Sequence, residues 1–134
     1  MNIEDHLQKA RQFIDAQKHD EARICLLEIL KEEATNKPAL IMLGGSYFSL
    51  EKYAEAEMVF ERLILLEPGI GQFSIGLFNT LWRMNRQEEA LEEIKRFLSN
   101  ADQEIENETI AQYLAIINQI ESGNNLDEGN PDQQ

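Results

Sequence analysis

The side chains that could act as nucleophiles, metal ligands or proton carriers are few in this sequence. It contains two histidines, His6 and His19, and one cysteine, Cys25. A transition-metal site needs three or four converging ligands, usually with some of them closely spaced, and neither histidine has such a partner. Cys25 shares its helical register with Val59, which indicates a small packing residue rather than a nucleophile. We therefore predict no metal site and no cofactor.

The remaining polar motifs do not point to catalysis either. Gly69-Ile70-Gly71 is a glycine-containing loop, but no Lys-Ser/Thr pair follows it, so a phosphate-binding loop is not supported. The glutamate pairs at 32–33, 88–89 and 92–93 are predicted to lie on solvated helix faces. With no arrangement of nucleophile, acid and base, we expect that the protein is not an enzyme.

The composition is typical of one globular domain. Of 134 residues, 43% are hydrophobic and 28% are charged. The net charge of −13 disfavours nucleic acid and anionic membranes as partners, because both select for basic surfaces. Residues 103–134 hold seven acids and no bases, so more than half of this charge lies in the last quarter. The lone cysteine and the absence of an N-terminal apolar segment predict a cytoplasmic protein.

The same residue types recur at an interval of 34 residues, which indicates repeated supersecondary units that stack on one another. A basic residue followed three positions later by Glu-Ala occurs three times, and apolar residues recur in the same register. The aligned triplets include Lys18, Lys52 and Arg86; Ala22, Ala56 and Ala90; Leu26, Phe60 and Ile94; and Ile29, Leu63 and Phe97.

The central copy resembles the tetratricopeptide repeat, a 34-residue helix–turn–helix unit. The residues that carry the resemblance are Leu43, Gly44, Tyr47, Tyr53, Ala56, Phe60 and Pro68. The flanking copies match more loosely, and the resemblance extends over about residues 3–102. It implies an all-α fold, a right-handed α-solenoid of three helix–turn–helix units, with a seventh helix that caps the open end.

The register also gives boundaries. We predict one domain over residues 1–121, with repeats at about 3–36, 37–70 and 71–102 and a capping helix at about 104–121. Residues 122–134 contain almost no hydrophobic side chains and are predicted to form a disordered acidic tail.

Three residues carry local predictions within the repeats. Asn36 is expected to cap the third helix, and Asn85 to close the fifth helix in a left-handed conformation. Phe78 stands where the other copies have Ala10 and Gly44. Its ring is expected to widen the contact between the two helices of the third repeat or to push neighbours aside.

The resemblance implies that the first helix of each unit lines a concave groove. The register places these residues in it: Leu7, Arg11, Ile14, Ile41, Phe48, Ile75, Asn79 and Trp82. Ile14, Phe48 and Trp82 would form a continuous apolar row, because adjacent packed helices lie roughly 8–10 Å apart. The alternative interpretation is that these side chains only fill the core.

The resemblance also argues against one kind of partner. Family members that hold the acidic C-termini of heat-shock chaperones use basic and Asn side chains on the first helices. The corresponding residues here are Leu7, Arg11, Met42, Gln72 and Gly76, of which only Arg11 is basic.

These observations favour a non-enzymatic protein–protein interaction module, similar to a chaperone or adaptor, that binds a segment of a client protein in the apolar groove. Two alternatives stay open: an acidic immunity or neutralising protein for a basic toxin, and an assembly subunit of a larger complex. The expected partner is a protein or peptide, with a basic one as an option. The sequence does not decide between the groove and the acidic C-terminal end as the binding surface, or between monomer and dimer.

Overall fold

The computed structural model describes residues 1–123, which form seven helices and no strand. The helices are α1 (Ile3–Asp15), α2 (His19–Glu32), α3 (Lys37–Ser49), α4 (Tyr53–Leu66), α5 (Gly71–Arg83), α6 (Gln87–Asn100) and α7 (Asn107–Glu121). The first six pair as hairpins, and neighbouring hairpins stack through α2 on α3 and α4 on α5. This all-α solenoid of helical repeats confirms the predicted fold class. Most of the predicted tail, residues 124–134, lies outside the described residues.

The capping helix, α7, begins later than expected. The side-chain Oδ1 of Asp102 accepts the backbone N–H groups of Glu104, at 2.9 Å, and Ile105, at 3.0 Å. These two bonds fold the start of the segment into a turn, so the helix begins at Asn107 rather than near residue 104.

The turn inside each hairpin repeats at the predicted interval. Gln17, Glu51 and Asn85 have φ values of 59°, 59° and 60°, which confirms the left-handed closure predicted at Asn85. In the central turn, the N–H of Glu51 donates to the carbonyl of Phe48 and the N–H of Lys52 to that of Tyr47. This pairing is the Schellman arrangement, which satisfies the last carbonyls of a helix before the chain reverses.

The starts of α1 and α3 are capped by asparagine side chains. Asn36 Oδ1 accepts the backbone N–H of Ala39 at 2.9 Å, as predicted, and Pro38 occupies the first turn. Asn2 Oδ1 accepts the N–H of Asp5 in the same way. The start of α5 has no cap of this kind, and the N–H of Gly71 instead donates to Glu106 Oε1, just before α7.

The central core is built around Phe60, whose ring lies against two glycines. A Cβ atom added at Gly44 would lie 3.1 Å from the Phe60 ring, and one added at Gly76 would lie 2.4 Å from it. The glycines of α3 and α5 therefore admit a ring from α4. Gly45 has no such role, because a Cβ atom there would meet nothing within 4 Å.

Phe78 is accommodated by α7. Its ring centroid lies 5.8 Å from that of Trp82, nearly parallel to it, and 5.7 Å from that of Tyr113. Tyr113 also meets Phe97 edge-on at 5.5 Å. The side chain that departs from the repeat pattern thus packs between α5 and the last helix.

Glu93 corrects one prediction from the sequence. The glutamate pair 92–93 was expected on a solvated face, but Glu93 is only 5% exposed. Its carboxylate accepts hydrogen bonds from Ser74 Oγ, at 2.6 Å, and from Arg96 Nε and Nη2, at 2.6 and 2.7 Å. Ser74 Oγ also lies 2.8 Å from the hydroxyl of Tyr113. A buried polar network therefore joins α5, α6 and α7.

Candidate protein-binding groove

The predicted groove residues occupy equivalent places in α1, α3 and α5. Ile14, Phe48 and Trp82 each stand at the twelfth position of their helix. All three are half-buried, so each anchors against the protein and keeps part of its surface available. We refer to these three residues as the apolar row.

The aromatic members of the apolar row are held by neighbouring rings. Phe48 meets Tyr53 edge-on with ring centroids 5.4 Å apart, and Trp82 stacks on Phe78. Such pairs contribute about 0.5–1.5 kcal/mol beyond the area that they bury. The exposed edges of Phe48 and Trp82 are therefore presented in fixed positions, which lowers the entropy lost when a partner binds.

The other predicted groove residues differ in exposure. Ile41 and Ile75 are half-buried, whereas Arg11 and Asn79 are exposed. Leu7 is 4% exposed and belongs to the core, so it offers almost no surface to a partner.

Gly45 leaves the middle of the predicted groove without a side chain. It is exposed and shares the ninth helical position with Arg11 and Asn79. Because a Cβ atom at Gly45 would meet nothing within 4 Å, the surface beside Phe48 is open to an incoming side chain. The glycine costs about 1 kcal/mol of helix stability relative to alanine, with no packing contact in return.

The structure adds residues of α7 that were not predicted. Ala111, Ala115 and Asn118 stand at the fifth, ninth and twelfth positions of α7 and are exposed. They are equivalent to Ile75, Asn79 and Trp82 only if α7 is shifted by 36 residues relative to α5. A period of 34 residues does not reveal this equivalence, because the turn at Asp102 lengthens the connection before α7.

The residues that could support chemistry are engaged elsewhere. His19 Nδ1 lies 2.7 Å from Ser46 Oγ, and His6 Nδ1 lies 3.1 Å from the carbonyl of Asn2. Cys25 is half-buried against the core. No group of three His, Cys, Asp or Glu side chains within residues 1–123 is arranged to hold a metal ion. In the same range, no helix has the length and apolar character needed to cross a membrane.

An acidic cleft lies on another face, between α4 and α6. Its carboxylates include those of Glu57, Glu61 and Glu89. Arg86 joins Glu57 at 2.7 Å and Glu89 at 2.6 Å, and these hydrogen bonds lower the pKa of Glu89. Partial burial and the charge of Glu57 raise the pKa of Glu61. We assign the cleft no ligand.

Comparisons with known proteins agree with the helical-repeat fold. The tetratricopeptide repeat model matches residues 38–70, which span α3, α4 and the start of the following loop. A comparison with curated protein sequences finds no match.

Solved structures resemble the chain over a longer range. A point mutant of MamA is 23% identical, with a TM-score of 0.66, over 75% of this chain and 74% of that one. In a second MamA structure the match covers only 54% of the solved chain.

Two further structures match nearly their full length. The type III secretion translocator chaperone SycD of Yersinia enterocolitica is 14% identical with a TM-score of 0.71, over 89% of this chain and 94% of SycD. The first TPR of Spaghetti (RPAP3), bound to the HSP90 peptide SRMEEVD, is 23% identical with a TM-score of 0.64, over 84% of this chain and 95% of that one. At these identities the likeness concerns the fold.

The repeat matched in sequence is the central hairpin, and the shared fold extends on both sides of it. The chain therefore contains a tetratricopeptide repeat at residues 38–70, within an all-α solenoid of helical repeats.

Proposed function

We propose that the chain is a non-enzymatic protein-interaction module, similar to a chaperone or adaptor, whose concave face binds a segment of a client protein. The observation that carries this proposal is the apolar row: Ile14, Phe48 and Trp82 stand at one position of three stacked helices and remain partly exposed. Two of the structural relatives are, by their own descriptions, a chaperone and a domain bound to a peptide, which is consistent with this use of the fold.

The apolar row can supply useful binding energy. Fully covering one large apolar side chain contributes about 1.5–3 kcal/mol. Because at most about a third of each residue is still exposed, a client would gain at most about 0.5–1 kcal/mol at each. Added anchors at Ile41 and Ile75 and preformed ring positions at Phe48 and Trp82 would then support a client segment with several apolar side chains.

The proposal includes the client's chemistry and the location. Arg11 is the only basic residue at the positions that clamp acidic C-termini in the family, so we propose that the client segment is not an acidic C-terminal peptide. A cytoplasmic site of action, proposed from the free Cys25, would give access to newly made clients. No observation in the structure favours the neutralising or assembly-subunit alternatives over this one.

Gly45 offers a test that leaves the core intact. Gly45→Gln places a side chain in the open space beside Phe48, whereas Gly45→Ala adds only a methyl group, and both substitutions favour the helix. After a client has been identified by affinity purification and mass spectrometry, its titration can be followed through Trp82, the only tryptophan. We expect Gly45→Gln to weaken binding by about tenfold, or about 1.4 kcal/mol, and Gly45→Ala to leave it unchanged.

Two results would contradict the proposal. Equal client binding by Gly45→Gln and Gly45→Ala would place the client on another surface. Unchanged Trp82 emission at saturating client would mean that the apolar row stays exposed in the complex. A separate titration with the peptide SRMEEVD tests the client chemistry. Tight binding of that peptide would contradict the proposal that the client segment is not an acidic C-terminal peptide.

A further inference from the structure

The last helix is built like the first helix of a repeat. When α3, α5 and α7 are aligned at their first residues, the third position is buried in each, at Ala39, Phe73 and Thr109. The seventh position is also buried in each, at Leu43, Leu77 and Tyr113. The same positions of α7 therefore face the third hairpin, although the backbone of α7 lies farther from α6 than α3 lies from α2 or α5 from α4.

The opposite side of α7 lacks the contact that the earlier helices have. At the eighth position, Gly44 of α3 lies beneath the Phe60 ring and Val59 of α4. The equivalent residue of α7 is Leu114, which is 51% exposed. A shallow open pocket surrounds it, lined by Ala111, Ala115, Ile117, Asn118 and Glu121. Up to residue 123, no helix follows to cover this pocket.

The second helices of the three hairpins show what fits such a face. Each has 14 residues, with alanine at its fourth position and large apolar residues at its eighth and eleventh. These positions are buried in every copy: Ala22, Leu26 and Ile29; Ala56, Phe60 and Leu63; Ala90, Ile94 and Phe97. Residues 122–134 have one hydrophobic residue, Leu126, two glycines and Pro131, so their sequence does not carry this pattern.

Two occupants of this face remain, a second copy of the chain and a helix of another protein, and charge distinguishes them. Glu108 and Glu121 lie near opposite ends of α7, and residues 103–134 contain seven acids and no bases. In an antiparallel pair of α7 helices from two copies, Glu108 of each would approach Glu121 of the other, and like charges at an interface are unfavourable. A helix with basic residues beside its apolar stripe meets the opposite charge.

We propose that the Leu114 face of α7 binds an amphipathic helix of another protein, with basic residues flanking an Ala-x-x-x-apolar-x-x-apolar stripe, which takes the place of an eighth helix. This surface adjoins the α7 end of the groove at Ala111, Ala115 and Asn118. It contains none of Ile14, Phe48 and Trp82, so Leu114→Gln and Gly45→Gln test the two proposals separately.

The probe is a pair of fluorescein-labelled peptides based on α4, Tyr53–Leu66, which has the required stripe. One peptide keeps the native sequence, and the other carries Glu55→Lys, Glu57→Lys and Glu61→Lys. Each is titrated with the full 134-residue chain and followed by fluorescence anisotropy. We expect the lysine peptide to bind about tenfold more tightly than the native one, with the difference shrinking as salt is added.

Matched variants of the chain locate the binding site. Leu114→Gln should weaken binding of the lysine peptide about fivefold or more, because it removes the exposed apolar centre of the face. Leu65→Gln alters a leucine on α4 that is 83% exposed and distant in sequence from α7, and it should leave binding unchanged. Both positions are exposed, so thermal unfolding should stay close to that of the parent chain.

Four outcomes would overturn the proposal. Equal binding of the two peptides would show that basic residues do not favour binding. Binding of neither peptide would show that the face does not accept an amphipathic helix. An equal effect of Leu65→Gln and Leu114→Gln would move the site away from α7. Sedimentation as a dimer that Leu114→Gln converts to a monomer would show that a second copy covers this face.

Discussion

The α3–α4 hairpin and the junction of α5, α6 and α7 are held together by different interactions. In the hairpin, the ring of Phe60 packs against Gly44, and the buried side chains are apolar except Ser46, whose hydroxyl bonds to His19 of α2. At the junction, the buried carboxylate of Glu93 accepts hydrogen bonds from Ser74 and Arg96, and the Ser74 hydroxyl also bonds to that of Tyr113. Apolar packing tolerates changes that keep volume, whereas a buried charge depends on every partner being present.

The difference concerns how the end of a solenoid is fixed. An internal hairpin is covered by neighbouring helices on both sides. Within residues 1–123, helix α7 is covered on one side only, and the network gives it a directional attachment through the Tyr113 hydroxyl. We infer that the network sets the position of α7 on the third hairpin.

The largest expected effect comes from removing the buried carboxylate. Glu93→Ala should lower the free energy of unfolding by about 3 kcal/mol, because it leaves Arg96 and Ser74 without their shared partner. Glu92→Ala, at the exposed neighbouring position, should change it by less than about 0.5 kcal/mol. Chemical denaturation of both variants would measure the difference. Equal effects would mean that Glu93 is solvated in solution.

The next effect tests the glycines around Phe60. Gly76→Ala should destabilise the protein by about 1–2 kcal/mol, because the new methyl group overlaps the Phe60 ring by more than the gain in helix propensity can offset. Gly45→Ala, where the space is open, should stabilise it by about 1 kcal/mol. Thermal melts of the two variants should therefore shift in opposite directions. A rise for both would show that the Phe60 ring moves aside without cost.

A smaller effect is expected from the hydroxyl that links α7 to the network. Tyr113→Phe keeps the ring contacts with Phe78 and Phe97 and removes one hydrogen bond to Ser74. The expected loss is about 1 kcal/mol, and hydrogen exchange should increase most in α7. Tyr47→Phe in the central repeat serves as the control. If exchange rises equally in all helices, the hydroxyl does not act on α7 in particular.

The smallest effect concerns Glu61, between the two regions. Burial and the charge of Glu57 raise its pKa, so its ionised form is less favourable in the folded state than in the unfolded chain. Glu61→Gln should therefore raise stability at neutral pH, by less than about 0.5 kcal/mol because the residue is exposed. The gain should disappear as the pH falls below the usual glutamate value of about 4.3, since Glu61 is then protonated in both states. A gain that persists at low pH would have another cause.

The helices and the turns were predictable because they repeat. The 34-residue period located six helices, and Asn85 marked a turn that two less obvious residues, Gln17 and Glu51, also adopt. Glu93 was missed because it was interpreted with Glu92 as a charged pair. The register did contain the signal, since Glu93 stands at the seventh position of its helix, where the other copies have Cys25 and Val59.

The candidate site was less accessible from the sequence. The register placed Ile14, Phe48 and Trp82 at one position, but it gave no measure of exposure, and Leu7 belongs to the core. The exposure of a residue depends on which neighbouring helix covers it. For Ile75, one such neighbour is α7. The start of α7 depends in turn on the Asp102 turn, which interrupts the period on which the alignment relied.

The left-handed turns at Gln17, Glu51 and Asn85 bear on how the chain folds. Each reverses the chain within a few residues, so the two helices of a hairpin meet after closing only a short loop, at a low cost in chain entropy. Contacts between residues close in sequence form quickly. Folding can therefore start at any of the three hairpins, and the α3–α4 hairpin, with its apolar interface, is the expected first nucleus. The network around Glu93 must form later, because Ser74 and Tyr113 are 39 residues apart.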